Sequence, residues 1–233
     1  MTKDNLQAIR AALSDASRDD RKRIVDELRR EFPIHELEKR WNVPAEVVLE
    51  AIARATDLTQ RGLRGVIAEA SFAQSIVAPM LQNGWTDDTP SGDIPFDFRL
   101  KDKVGPVRVQ VKNQRIEKGV PKIWKKNPGV FVVETQKTRS GKDKAGNDTR
   151  PYRFGEFDIL AVCLHPSTND WSRFLYTVGD WLVPRDGKKK NLISVFQPVD
   201  PSASKDWTSD LATAISWYRS KSKRTIKAPP AKK

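Results

Sequence analysis

The chain has 233 residues, 38% hydrophobic and 31% charged, with a formal net charge of +12 and a mean hydropathy of −0.61. No apolar run approaches the roughly 18 residues that a membrane span needs. A single cysteine, Cys163, forbids an internal disulfide, and with only His35 and His165 beside it a Cys/His zinc site is excluded. The N-terminal stretch MTKDNLQAIRAAL is polar and amphipathic, unlike a secretory leader, so a cytoplasmic protein with no membrane partner is expected.

Residues 5–55 read as wholly helical. Leu6, Ile9 and Leu13 recur at helical spacing, and Ser17 suits the N-cap of a helix carrying Ile24, Leu28 and Phe32. His35 to Ile52 resembles a helix-turn-helix, with a short helix, a turn at Asn42-Val43 and Pro44 opening a second helix. Glu46 and Glu50 would face phosphates if that second helix read DNA. DNA contact and dimerisation therefore both stay open for this helical N-terminal domain, 1–55.

Thr56 to Gly62 reads as a link to a second helical block over 60–82. There Val66, Ala70, Ala73, Val77 and Met80 mark the expected buried stripe. Glu69 falls within that stripe, where a carboxylate is costly unless it is paired or metal-bound.

Turn residues fill Gly84–Gly92, and strands are expected at about 94–101, 106–113 and 130–134. The stretch 138–151 reads as a mobile basic loop, and Phe157–Leu164 as a buried strand. Further strands are expected at Phe174–Val178, Trp181–Val183 and Leu192–Gln197, followed by a closing helix over Asp206–Arg219. Residues 219–233 read as a basic disordered tail. Trp85, Trp171, Trp181 and Trp217 neighbour apolar residues and suit a core, whereas Trp124, among lysines, suits a DNA interface.

The charge is unevenly placed. Residues 1–55 hold 11 basic and 11 acidic side chains, whereas 101–154 hold 15 basic and 5 acidic, and the last 15 residues add 7 basic groups and no acid. A basic excess of this kind favours a polyanion, because each neutralised phosphate releases counterions. No Walker loop, paired-glycine dinucleotide fingerprint or nucleophile elbow is present, so no small-molecule cofactor is expected.

The basic stretch contains the most informative pattern in the chain. In Val107-Arg108-Val109-Gln110-Val111-Lys112 the valines take one strand face and Arg108, Gln110 and Lys112 the other. Phe96 and Phe98 place Asp97 opposite an apolar face in the preceding run. Asp93 competes for the same role, but it follows Gly92 and reads as part of the turn. Asp97, Gln110 and Lys112 projecting together would form an oxygen cluster beside an ammonium, a set suited to phosphodiester hydrolysis.

This order of Glu69 on a helix, Asp97 at a strand start and Gln110-Val111-Lys112 on the next strand resembles the PD-(D/E)xK nuclease superfamily, most of all its type II restriction endonucleases. The resemblance covers about residues 60–200. It implies an α/β (α+β) restriction-endonuclease-like core over 60–218, with a mixed central sheet flanked by helices, and Mg2+-dependent hydrolysis of double-stranded DNA by a homodimer. It also implies Asp97, Gln110 and Glu69 as metal ligands, and Lys112 as the residue that orients the attacking water. Gln110 departs from the pattern, standing where the family usually has Asp or Glu. Homing, mismatch or junction nucleases of the same fold, and a non-catalytic helix-turn-helix protein, are the alternatives. Asn113, Gln114, Arg115, Trp124, Lys125, Lys126, Arg150 and Arg153 are the candidate DNA contacts, while Glu156 and Asp158 read as structural.

Overall fold

A computed structural model describes residues 3–32, 35–125, 127–137, 141–142, 146, 149–187, 191–227 and 230. Two compact units emerge, Met1–Gln60 and Arg61–Lys233. Lys126 and most of the stretch 138–148 lie outside the described residues.

The first unit is helical, as its periodicity predicts: α1 (Lys3–Asp15), α2 (Arg18–Glu31), α3 (Glu36–Trp41) and α4 (Ala45–Arg54). Ser17 caps α2 by accepting from the Asp20 amide at 3.1 Å. His35 and Glu38 form a capping box on α3, and Asn42 ends that helix in the left-handed region with φ of 51°. Pro44 is the N-cap of α4 rather than its first helical residue. Glu46 pairs with Arg29 and Glu50 with Arg54. None of the unit's described residues is fully buried.

The expected link at Thr56–Gly62 is instead helical, because α5 runs from Asp57 to Phe72. The Thr56 hydroxyl accepts from the Thr59 amide, and the Gln60 side chain donates to the carbonyls of Ile52, Ala53 and Ala55. A π-helical turn at Ala73–Val77 leads into α6 (Ala78–Gln82). That turn corrects the expected stripe. Ala68, Phe72 and Val77 are buried, whereas Val66 is 59% exposed. Five residues separate Phe72 from Val77, the spacing of a π turn, so a constant 3.6-residue period drifts off the true face.

The main sheet has the order β1-β2-β3-β8-β9, formed by Thr86–Asp87, Phe98–Lys101, Pro106–Asn113, Ile159–Cys163 and Phe174–Val178. Its β3–β8 pair is parallel and the other pairs are antiparallel. Register sets Phe98 against Val109, Val109 against Ile159 and Ala161 against Tyr176, so these side chains share one apolar face. Phe72 of α5 seals that face, its ring 5.2 Å from Phe98 and 5.3 Å from Phe174. A hairpin of β4 (Ile116–Glu117) and β5 (Val120–Pro121) follows β3. The second sheet, β10-β7-β6, comprises Phe196–Val199, Asn127–Glu134 and Ile123–Trp124. After β8 comes the short helix α7 (His165–Thr168), and α8 (Leu211–Arg219) closes the unit against β8 and β9. The result is the expected mixed α/β architecture, a mixed central sheet flanked by helices.

Three further expectations are corrected. Trp181–Val183 is not a strand, since a 3-10 turn occupies Gly179–Trp181. A β-carbon on Gly179 would lie 2.7 Å from the Phe157 carbonyl oxygen, so this close turn requires glycine. Trp124 is 8% exposed and packs with Val130, Val132 and Phe196. It therefore cannot stack on a base without leaving its own cluster. The chain from 219 to 227 is not loose tail: Ile226 is 5% exposed, its amide donates to the Trp181 carbonyl, and the Trp181 indole donates to the Ser222 carbonyl. One apolar side chain and two hydrogen bonds outweigh the basic composition there.

Asp158 clamps β3 to β8. Its carboxylate accepts from the Arg108 amide at 2.7 Å and from the Arg108 guanidinium at 3.1 and 2.6 Å. Its own amide donates to the Arg108 carbonyl at 2.9 Å. Removing the carboxylate orphans both an amide and a partly buried cation. Asp158→Ala should therefore cost about 2–4 kcal/mol in urea unfolding, whereas a surface control such as Asp186→Ala should stay within about 0.5 kcal/mol.

Candidate active site

Asp97 lies one residue before β2, and extending the Phe98–Val109 register sets it opposite Gln110. Its amide donates to the Val109 carbonyl at 3.0 Å. Its Oδ2 accepts from the Gln110 side-chain amide at 2.5 Å and from the Val111 amide at 2.7 Å. Gln110 is 2% exposed, and its Nε2 also donates to the Val111 carbonyl at 3.1 Å. Two acceptors thus take both amide hydrogens, which fixes the orientation of the side chain and turns Oε1 into its available end. Asp93, in contrast, is exposed in the bend at Ser91–Asp93.

Lys112 follows two residues after Gln110 on the same strand face, and Glu69 on α5 lies within electrostatic reach of both Asp97 and Lys112. The structure thereby brings together Glu69, Asp97, Gln110 and Lys112. Burial pushes the Glu69 carboxyl up to about 7; the Asp97 charge adds to that rise and Lys112 opposes it. Burial also raises Asp97, against the pull of Lys112 and the hydrogen bonds from Val111 and Gln110. It lowers Lys112, while Asp97, Glu69 and Glu134 favour its charged form.

Tyr152, Lys137 and Glu156 complete the surroundings, and sequence pattern did not single out the first two. Tyr152 is 4% exposed, with the Lys112 Nζ 5.5 Å and the Lys137 Nζ 5.2 Å from its ring centroid. Lys137 pairs with Glu156 at 2.9 Å. Burial raises the Tyr152 phenol, and so do Asp97, Glu156 and Glu69, which marks it as a neighbour of the same carboxylates. Its one sequence signal is an aromatic residue directly after a proline where the basic loop ends.

The candidate DNA contacts divide. Asn113 ends β3 half-buried, its Oδ1 without a hydrogen bond. Gln114 is 2% exposed; its Oε1 accepts from Ser167 at 2.8 Å, while its Nε2 has no hydrogen-bond partner. Arg115 is paired with Glu134 at 2.7 Å. Lys125 and Arg153 are exposed and Arg150 is half-buried.

Two carboxylates and an amide oxygen are hard donors of the kind Mg2+ takes. Among the described residues no group of three His, Cys, Asp or Glu side chains is placed to hold a metal ion. The fit rests on the freed Gln110 Oε1 and on two crowded carboxylates whose mutual repulsion a cation would relieve.

No family model and no curated protein matches this chain. Among solved structures, the bacterial homing endonuclease I-Ssp6803I aligns at 26% identity over 55% of this chain and 82% of that one, with a TM-score of 0.34.

Glu69 near 7, against 4.5 for a solvated glutamate, means that the folded metal-free protein keeps a proton that the unfolded chain loses between those values. Its contribution to stability therefore falls as pH rises from about 4.5 to 7 and is level outside that window. Glu69→Gln should remove this slope and exceed wild type by about 1–3 kcal/mol near pH 8, measured by urea unfolding in EDTA. Parallel pH profiles for the two proteins would contradict the buried placement of Glu69 beside Asp97.

Proposed function

We propose that the protein is a Mg2+-dependent endonuclease that hydrolyses phosphodiester bonds of double-stranded DNA at specific sites, in the manner of type II restriction enzymes. The supporting observation is the desolvated group of Glu69, Asp97, Gln110 and Lys112, the last two of which lie in the most basic stretch of a chain of net charge +12. Glu69, Asp97 and the Gln110 Oε1 would hold the cation. When bound, Mg2+ polarises the scissile phosphate and lowers the pKa of a water. Lys112 would orient that water and meet the negative charge that develops on the phosphate.

Lys125, Lys126, Arg150 and Arg153 remain proposed phosphate contacts, whereas Gln114, 2% exposed, could donate to DNA only after its surroundings open. Arg115 would first have to leave Glu134, and Trp124 is no longer a candidate. Cutting both strands needs two sites, so a homodimer is proposed. The α3–α4 pair would grip DNA or join the copies.

Plasmid and phage DNA incubated with the protein should give discrete fragments with Mg2+ and none with EDTA. Lys112→Ala should lower the rate at least about 100-fold while leaving DNA binding in Ca2+ nearly unchanged. The half-saturating Mg2+ concentration should rise as pH falls from about 8 to 6, because Glu69 must lose its proton to bind. Absence of metal-dependent cleavage of any duplex tested would remove this reading, and a smear without discrete fragments would remove its site-specific part.

A further inference from the structure

A buried ammonium beside two carboxylates would ordinarily close on one of them. Lys112 does not. Among the described residues no ion pair within 4.0 Å joins it to Glu69 or Asp97, although both carboxylates act on its charge. Its Nζ lies instead 5.5 Å from the centroid of the Tyr152 ring. An aromatic face attracts a cation through its quadrupole, most strongly where water is excluded.

The ring is itself firmly held. Its edge meets Phe157 at 5.3 Å and 87°, and the Tyr152 carbonyl accepts from the Ile193 amide at 2.9 Å. On its N-terminal side, Pro151 bridges to Gln136, and the Lys137 amide donates to the Arg150 carbonyl. Lys137, also over the ring at 5.2 Å, is tethered to Glu156. Glu156 in turn accepts from the Arg153 amide.

We propose that Tyr152 is a positioning residue that holds the Lys112 ammonium away from Glu69 and Asp97, keeping their oxygens open to a cation. Without the ring face, the desolvated lysine falls onto a carboxylate, forms a closed ion pair and fills the space between them. The phenol hydroxyl is not needed for this; the ring is. The inference rests on the endonuclease reading for its catalytic consequence, but not for the contact itself.

Two variants and one cycle test it. Tyr152→Phe keeps the ring and should cleave DNA within about twofold of wild type. Tyr152→Leu keeps most of the volume and loses the quadrupole, so it should lower kcat about 10- to 30-fold with KM for DNA little changed. In metal-free protein, the shifts in melting temperature of Tyr152→Leu and Lys112→Met should be non-additive, with the double variant losing less than the sum. Additive shifts, or a Phe variant as damaged as the Leu variant, overturn the proposal. Wild-type protein that cleaves no DNA removes the endonuclease reading, and the metal-free cycle then decides the Lys112–Tyr152 contact by itself.

Discussion

Removal of charge from water is the constraint on which this molecule turns. Burial is the leading influence on Glu69, Asp97 and Lys112 alike. An isolated buried charge is costly, and Lys112 is the counter-charge on which both carboxylates draw. The group is nevertheless unbalanced, with two acids facing one base. Glu69 absorbs the imbalance by holding its proton up to about 7. A third carboxylate at position 110 would deepen the excess. Gln110 instead supplies an oxygen without a charge and spends its hydrogens on Asp97 and the Val111 carbonyl.

Such a group needs a rigid frame, and β3 supplies most of it. Along one side β2 fixes the register that sets Asp97 across from Gln110, while along the other β8 runs parallel and fully buried. The Arg108–Asp158 clamp locks the β8 side two residues before Gln110. Behind the sheet, Phe72 anchors α5 through three aromatic contacts, and Glu69 lies one helical turn earlier on that same helix. The π turn that follows Phe72 brings Val77 into the same core. A slip of one residue in β3 would send Gln110 and Lys112 to the valine face.

What the sequence makes legible follows from period. Strand alternation is strict around Gln110, so the face shared by Arg108, Gln110 and Lys112 could be read before any coordinates. The apolar run at Phe157–Leu164 announced β8 for the same reason. Period fails where packing is set by partners distant in sequence. The helical stripe drifted at the π turn, Trp124 found its own small cluster, and Ile226 docked beside Trp181 from within a basic tail. Tyr152 and Lys137 were invisible on the same grounds. They reach the site from the chain between the two sheets, where neither a two-residue nor a 3.6-residue repeat operates, and only the fold sets them beside Lys112.

Charge acts on two scales here, with opposite signs. Three acids of the basic stretch 101–154 are engaged in ion pairs: Asp102 with Arg219, Glu117 with Lys122 and Glu134 with Arg115. Those pairs cancel locally, so the field beyond them is that of the remaining lysines and arginines, which attracts a polyanion over about a Debye length. Inside, the two carboxylates repel the same phosphates. On the proposed reading a duplex drawn in by the outer field would meet an inner barrier, which a divalent cation held by Glu69 and Asp97 would lower. On the endonuclease reading we propose, the metal requirement would be electrostatic before it is chemical, since the Glu69 and Asp97 charges would have to be neutralised before a phosphate could approach Lys112.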